Sequence, residues 1–222
     1  MPGSEAIQVL SLARATIWSL KSVEEVHGDV GDAESLPPAF QEVAKHLQVV
    51  CDALETAQKQ IRQRKDDGAC AEMKPSLEEC KGKAARLEKL FLTVVTSAAA
   101  QRMERYREAV REMGKGNRVE TLMEDIMKDV KLLLTVDDEM KAAAESQLGA
   151  LVEAMKEVSA IPPSLQDESP ASGINNFGSG PQNVNAGNGI QNNSNGPGQQ
   201  FINGTFHGFN SATSREPKNA PA

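Results

Sequence analysis

Apolar residues recur three and four positions apart through most of the first 160 residues, which places them on one face of successive α-helices. Pro37-Pro38 and Pro75 each precede such a stripe, because proline is tolerated in a first helical turn. Gly114-Lys-Gly116 predicts the end of one helix, and Asn117 is a good N-cap for the next. The six stripes are Val9, Ala13, Thr16, Leu20 and Val23 in a front helix over residues 4–27; Phe40, Val43, Leu47, Val50, Leu54, Ala57 and Ile61; Leu77, Cys80, Ala84, Leu87, Phe91 and Val94; Met103, Tyr106, Val110 and Met113; Leu122, Ile126, Val130 and Leu133; and Ala144, Leu148, Leu151, Met155 and Val158 in a last helix from Asp137 to about Ala160. No window alternates as a strand does, so the sequence predicts an all-α fold, a bundle of about six helices.

The chain changes character near residue 169. Residues 1–168 hold 22 of the 24 basic and 30 of the 31 acidic residues, whereas residues 173–210 hold no charged residue and are 10 Asn, 4 Gln and 9 Gly out of 38. Three prolines between Ile161 and Pro170 are typical of a linker that stops a helix. The sequence therefore predicts four parts: a helical domain (1–160), a Pro/Ser linker (161–172), a repeat motif (173–210) and a disordered C-terminus (211–222).

The tail repeats itself imperfectly. Residues 173–181 align with residues 189–197 at an offset of 16, and the residues that follow align at an offset of 17 after one insertion. Uncharged segments stack without like-charge repulsion, and Asn and Gln side chains form hydrogen-bonded ladders along such a stack. The predicted amyloid motif, a two-rung β-solenoid, comprises Gly173, Ile174, Asn176, Gly180, Pro181, Gln182, Val184, Gly189, Ile190, Asn192, Gly196, Pro197, Gln199, Phe201, Gly204, Phe206 and Phe209. The alternative is a passive, solvated tail.

Composition and spacing exclude several classes of function. The formal net charge of −7 disfavours a nucleic-acid binder, and no run of about 18 uncharged apolar residues is present. His27, His46 and His207 are far apart, and Cys51, Cys70 and Cys80 match no metal-ligand spacing. We therefore expect no enzyme, cofactor or metal site, and reduced intracellular thiols.

The front helix is a candidate membrane contact. Its apolar residues surround most of its circumference, and Trp18 is a good interfacial residue. The candidate lipid-facing residues are Ile7, Leu10, Ile17, Trp18 and Leu20. Arg14, Lys21 and Glu24 make it a poor spanning helix, so an ordinary core helix is the alternative.

Four segments of the helical part resemble the SesA family, the N-terminal domain of fungal NACHT and other STAND-type NTPases and of small companion proteins. They are residues 36–45 (LPPAFQEVAK), 73–81 (MKPSLEECK) with 84–91, 104–117 (ERYREAVREMGKGN) and 119–133. The Gly/Asn/Gln-rich tail is similar to the sigma-type prion motif of fungal proteins.

These resemblances imply a fungal programmed-cell-death or heterokaryon-incompatibility protein with a HeLo-like domain. In such a system a NACHT/STAND NTPase receptor adopts an amyloid fold and templates the tail of an effector, which self-assembles and acts on membrane lipid. The effector is cytoplasmic when inactive and moves to the plasma membrane when activated. A non-lytic adaptor, a regulator of the pathway and a scaffold with a passive tail are the alternatives.

Overall fold

The computed structural model describes residues 3–30, 35–64, 67–114 and 116–166, which form eight α-helices and one short 3-10 helix. The α-helices are α1 (Ser4–Gly28), α2 (Pro38–Lys45), α3 (Leu47–Gln63), α4 (Asp67–Val95), α5 (Arg102–Met113), α6 (Val119–Leu134), α7 (Asp138–Ala143) and α8 (Glu145–Ser159). The 3-10 helix, Ala99–Gln101, leads into α5. The described residues contain no strand, so the all-α prediction is confirmed.

Two long helices organise the bundle. α1 packs most extensively against α4 and also against α3, while α4 packs against α6 and α5 on its other sides. α8 lies against α3 and α6. The apolar stripes predicted from the sequence line one continuous core, whose largest fully buried side chains include Tyr106, Phe40 and Phe91.

Two of the six predicted helices are each divided. The second predicted helix is interrupted at His46, between α2 and α3, and the last predicted helix is interrupted at Ala144, between α7 and α8. Both residues are buried, and their backbone φ angles are −102° and −111° rather than near −63°. Their apolar stripes continue across each break, which is why periodicity alone predicts single helices.

α4 begins before Pro75 and not, as the sequence suggests, just after it. Pro75 lies on the exposed side of the helix, so its missing N–H removes one ladder bond without opening the core. Cys70 and Met73, in the turns before Pro75, are buried in the main core. Their burial offsets the cost of an interior proline.

The turn between α5 and α6 is built partly as predicted. Gly114 and Gly116 both have positive φ, of 93° and 95°. Asn117 is not the N-cap, which is Arg118 without a capping side-chain bond. The Asn117 side chain instead donates to the Met113 and Gly114 carbonyl oxygens, at 2.9 and 3.0 Å, because the end of α5 presents unpaired carbonyl groups.

Candidate functional site

The outer face of α1 presents two of the five residues predicted to contact membrane. Trp18 is 70% exposed and Ile7 is 57% exposed. They are 11 positions apart, about three turns, and therefore lie on the same face. Ser11 and Arg14 lie between them and are exposed, so the face is a narrow apolar stripe with a basic edge.

The other three candidate residues are part of the core. Leu10 and Ile17 are less than a tenth exposed, and Leu20 is completely buried. Two ion pairs also join α1 to its neighbours, one between Glu5 and Lys74 of α4 at 3.5 Å and the other between Lys21 and Glu55 of α3 at 2.9 Å. In the folded bundle α1 is a core helix with an apolar outer edge.

None of the helices in the described part of the chain is both long and apolar enough to span a bilayer.

A chain of hydrogen bonds ties the last described residues to the bundle. The Tyr106 hydroxyl accepts from the Val119 backbone N–H at 3.1 Å and lies 2.7 Å from the Ser164 hydroxyl. The Ser164 hydroxyl donates to Glu120 Oε2 at 2.7 Å, and the Ser164 backbone N–H donates to Glu120 Oε1 at 3.0 Å. The direction of donation is then uniform, from Val119 through Tyr106 and Ser164 to the Glu120 carboxylate. We call Tyr106, Glu120 and Ser164 the junction clasp.

The elements behind the clasp explain its geometry. Val119 is the first residue of α6, whose N–H has no partner within the helix, and Tyr106 supplies that partner from α5. Tyr106 and Glu120 are both buried, and burial raises the pKa of Tyr106 to about 12. Arg118 adds a bond from its guanidinium to the Leu165 carbonyl oxygen at 3.1 Å. The clasp therefore holds residues 164–165 against α5 and α6.

Aromatic contacts extend from the clasp to the end of α1. The Tyr106 ring meets Phe40 edge-on with centroids 4.9 Å apart, and Phe40 lies 4.7 Å from Phe91. Phe91 in turn lies 6.3 Å from the His27 ring, in the last turn of α1. These four side chains join α1, α2, α4 and α5 in one packed row.

The three thiols are enclosed by the bundle. Cys51, Cys70 and Cys80 are all buried and unbridged. Burial raises the pKa of Cys51 to about 12 and also raises the pKa of Cys80. Such thiols are poor nucleophiles in the folded state.

Sequence reasoning did not find the clasp. Its members are up to 58 positions apart, and no local spacing links a tyrosine in one helix to a serine after a proline pair. The predicted motif residues from Gly173 to Phe209 lie outside the described residues.

Comparison with known families finds two matches. Residues 13–133 match the SesA family, the N-terminal domain on NACHT NTPases and P-loop NTPases. Residues 171–212 match the sigma domain on NACHT NTPases, which covers the predicted tail motif. Neither a curated protein nor a solved structure matches the chain. The SesA match spans more than half of the 222 residues, so the chain belongs to the SesA family and carries a sigma domain after its helical bundle.

Proposed function

We propose that this chain is a non-enzymatic signalling effector whose sigma domain is templated by a matching motif on a NACHT NTPase receptor. The observation that carries the proposal is the presence of a SesA domain and a sigma domain in one chain, since both domains occur on NACHT NTPases. Only 37 residues, 134–170, separate the two matches, too few for an NTPase domain between them. In this proposal the nucleotide-dependent step belongs to a separate receptor.

The tail supplies the means of transmission. Its uncharged repeats favour in-register stacking, and two rungs that are unstable alone gain stability by adding to an existing stack. A receptor assembly that presents matching rungs lowers the cost of nucleation for the tail. Tail stacking then brings the attached bundles together at high local concentration. In this proposal that self-assembly produces the output, programmed cell death or incompatibility.

Seeding of the full chain tests templating. Fibrils grown from the chain itself are added to fresh monomer, and the lag of thioflavin T fluorescence is measured. We expect the seeds to shorten the lag and the Phe201→Lys variant to resist seeding, because a charge inside a stacked rung is not solvated. Thr213→Lys adds the same charge just beyond the sigma match and is the control. Equal seeding of both variants would contradict the solenoid mechanism.

The output we propose is contact with membrane lipid through α1. Trp18 and Ile7 form an exposed apolar edge of the type that enters the headgroup boundary, and Arg14 between them favours anionic lipid. Oligomerisation by the tail multiplies this weak contact. In this proposal the inactive chain is cytoplasmic and the activated assembly gathers at the plasma membrane.

Trp18 is the only tryptophan, so its fluorescence reports lipid contact directly. We expect a blue shift and release of entrapped dye when the seeded chain meets vesicles containing phosphatidylserine. Trp18→Ser should lower dye release several-fold, whereas Leu132→Ser, at a 60% exposed apolar site on α6, should leave it unchanged.

A non-lytic adaptor or regulator is the second candidate. The burial of Leu10, Ile17 and Leu20 favours it, because most of the apolar surface of α1 is already used inside the bundle. In this alternative the tail recruits the bundle into an assembly where other proteins bind. Normal seeding without a Trp18 shift or dye release would select this function.

A further inference from the structure

Ser164 is placed where a change of charge would act on the connection between bundle and tail. Its hydroxyl and its backbone N–H both donate to the buried carboxylate of Glu120. Its hydroxyl also lies at hydrogen-bond distance from that of Tyr106. The contact thus depends on serine donating a proton towards an anion.

The sequence after Ser164 favours recognition by an acidophilic kinase. Such enzymes bind an extended segment and read acidic groups about three residues after the serine, and here Asp167 and Glu168 occupy the third and fourth positions. Only Ser22, Ser76 and Ser164 in this chain have an acidic residue at the third position. Ser22 lies inside α1 and Ser76 inside α4, where the backbone is committed to helical hydrogen bonds.

Ser164 lies outside the helices. Residues 161–166 follow the end of α8, and Pro162 and Pro163 have no N–H with which to continue it. The segment is held by the clasp and by the Arg118 bond to Leu165 rather than by a helical ladder. Opening of a few side-chain bonds is a local event that does not require the core to unfold.

We propose that Ser164 is a phosphorylation site and that its modification releases the clasp. In the transfer, Ser164 Oγ bonds to the γ-phosphorus of ATP as the bond from that phosphorus to the β–γ bridging oxygen breaks. ADP leaves, and the hydroxyl proton passes to the catalytic carboxylate of the kinase. The product is a phosphoserine with a charge of about −2 and no hydroxyl proton.

That product does not fit the clasp. Phosphate oxygens mainly accept hydrogen bonds at neutral pH, and one of the two groups at 2.7 Å from Ser164 Oγ, the Glu120 carboxylate, also only accepts. Tyr106 has a single proton to donate, so it can satisfy only one of the several hydrogen bonds that the phosphate oxygens accept. Arg118 is a cation of this region and donates to the Leu165 backbone carbonyl oxygen. Repulsion between the phosphate and the adjacent Glu120 carboxylate outweighs the attraction of the phosphate to Arg118. The segment of residues 161–166 therefore leaves the bundle.

The test uses the full, unseeded chain, so its outcome is separate from that of templating. The chain is treated with a purified acidophilic serine kinase and ATP–Mg²⁺, the sites are mapped by mass spectrometry, and amide hydrogen exchange is measured over residues 161–166. We expect modification of Ser164 and not of Ser22 or Ser76. We expect exchange at the Ser164 amide to accelerate at least tenfold, while exchange in α4 is unchanged.

Matched variants separate charge from lost contacts. Ser164→Glu and Ser164→Gln have the same length, and only the first adds a charge, so Ser164→Glu should accelerate exchange in the segment several-fold more. Glu120→Gln should remove most of that difference, since the repelling charge is gone. Circular dichroism checks that each variant keeps its helices.

Three results would each overturn the proposal: a folded chain that the kinase does not modify at Ser164, unchanged exchange after modification, or slower exchange, which would mean that Arg118 holds the phosphate in place. The consequence for signalling of releasing residues 161–166, next to the sigma domain, rests on the function proposed above. Failure of seeding would remove that consequence and leave the modification and the release as measured.

Discussion

Tyr106 contacts three parts of the bundle through its buried hydroxyl group and its ring. It closes the N-terminus of α6, meets Ser164 after α8, and packs its ring on Phe40 of α2. A buried hydroxyl with two partners stabilises a structure modestly, but removing it leaves a buried donor without a partner, which costs more. This hydroxyl oxygen therefore takes part in two of the hydrogen bonds at the junction.

Replacing Tyr106 with Phe tests this dependence while keeping the ring. We expect the free energy of unfolding to fall by about 1–3 kcal/mol, because the Val119 N–H is left unpaired in the core. Urea denaturation followed by circular dichroism measures it. Thr96→Val also removes a hydroxyl bond, to the Leu92 carbonyl, but at an exposed site, and should cost less than about 0.5 kcal/mol.

Asp137 carries a second long-range contact. Its carboxylate binds the Arg64 guanidinium with two bonds, at 2.5 and 2.8 Å, and caps α7 by accepting from the Met140 N–H. Hydrogen bonding from Arg64 holds the pKa of Asp137 below its usual value, although partial burial opposes the shift. A carboxyl with a lowered folded pKa adds stability above its unfolded pKa and loses it as the pH falls through the folded value.

We expect Asp137→Asn to lower stability at pH 7 by about 1–2 kcal/mol, the low part of the range for charged hydrogen bonds, since the carboxylate is a third exposed. Asparagine keeps the cap, so the loss reports the charge. The gap between variant and wild type should shrink as the pH falls from about 4 towards 2. A gap that is constant with pH would contradict this assignment. Asp138→Asn, on an exposed neighbour, is the control.

At the scale of the element, glycine positions separate helix from turn. Gly82 lies inside α4 and Gly114 ends α5 with φ of +93°, and apart from the neighbouring backbone nothing lies within 4 Å of where a Cβ would stand at either site. The two sites therefore differ in backbone conformation and not in the space available for a side chain.

Gly82→Ala should stabilise the chain by about 0.5–1 kcal/mol, the helix propensity of alanine over glycine. Gly114→Ala should destabilise it by about 1–3 kcal/mol, because its backbone lies in a region that only glycine adopts freely. Thermal melting of the two variants gives the signs. A higher melting temperature for Gly114→Ala would show that the turn after α5 adapts to a side chain.

The helices were largely predictable because their apolar stripes repeat every three to four residues. The breaks at His46 and Ala144 were not, since both positions continue a buried stripe and carry no Gly or Pro. The start of α4 was mistaken because an exposed proline was given more weight than the buried Cys70 and Met73 before it. Local signals locate helices well and their interruptions poorly, as tertiary packing decides the latter.

At the scale of the molecule, the two families were predictable from motifs, whereas the choice between a core helix and a lipid-contacting helix for α1 was not. Trp18 and Leu20 are both apolar and only two positions apart, yet one is exposed and the other is buried. The apolar stripe predicted for α1 contains Leu20 and not Trp18, in agreement with their burial, but the sequence left open whether that stripe faces the core or lipid. The junction clasp escaped prediction because its bonds join residues that are distant in sequence.

A row of packed aromatic side chains connects α1 to the junction clasp. The row His27, Phe91, Phe40 and Tyr106 connects the last turn of α1 to the clasp. Close-packed interiors transmit small displacements, so a change at Ser164 has a contiguous route to α1. A double-mutant cycle between Phe91→Leu and Ser164→Ala, read by urea denaturation, would measure that coupling.

The buried thiols report which part of the bundle opens, because each reacts with an alkylating reagent only when it is exposed. Cys51 lies close enough to Lys21 and Glu24 of α1 to feel their charges, whereas Cys80 feels Asp129 of α6. If α1 departs alone on vesicles, an alkylating reagent should modify Cys51 while Cys80 stays unreacted. Loss of the whole fold would release all three thiols at one rate, and an effector that acts with its bundle intact would release none. The order in which the three thiols are alkylated thus distinguishes release of α1 alone from unfolding of the whole bundle. No introduced fluorophore or extra cysteine is needed.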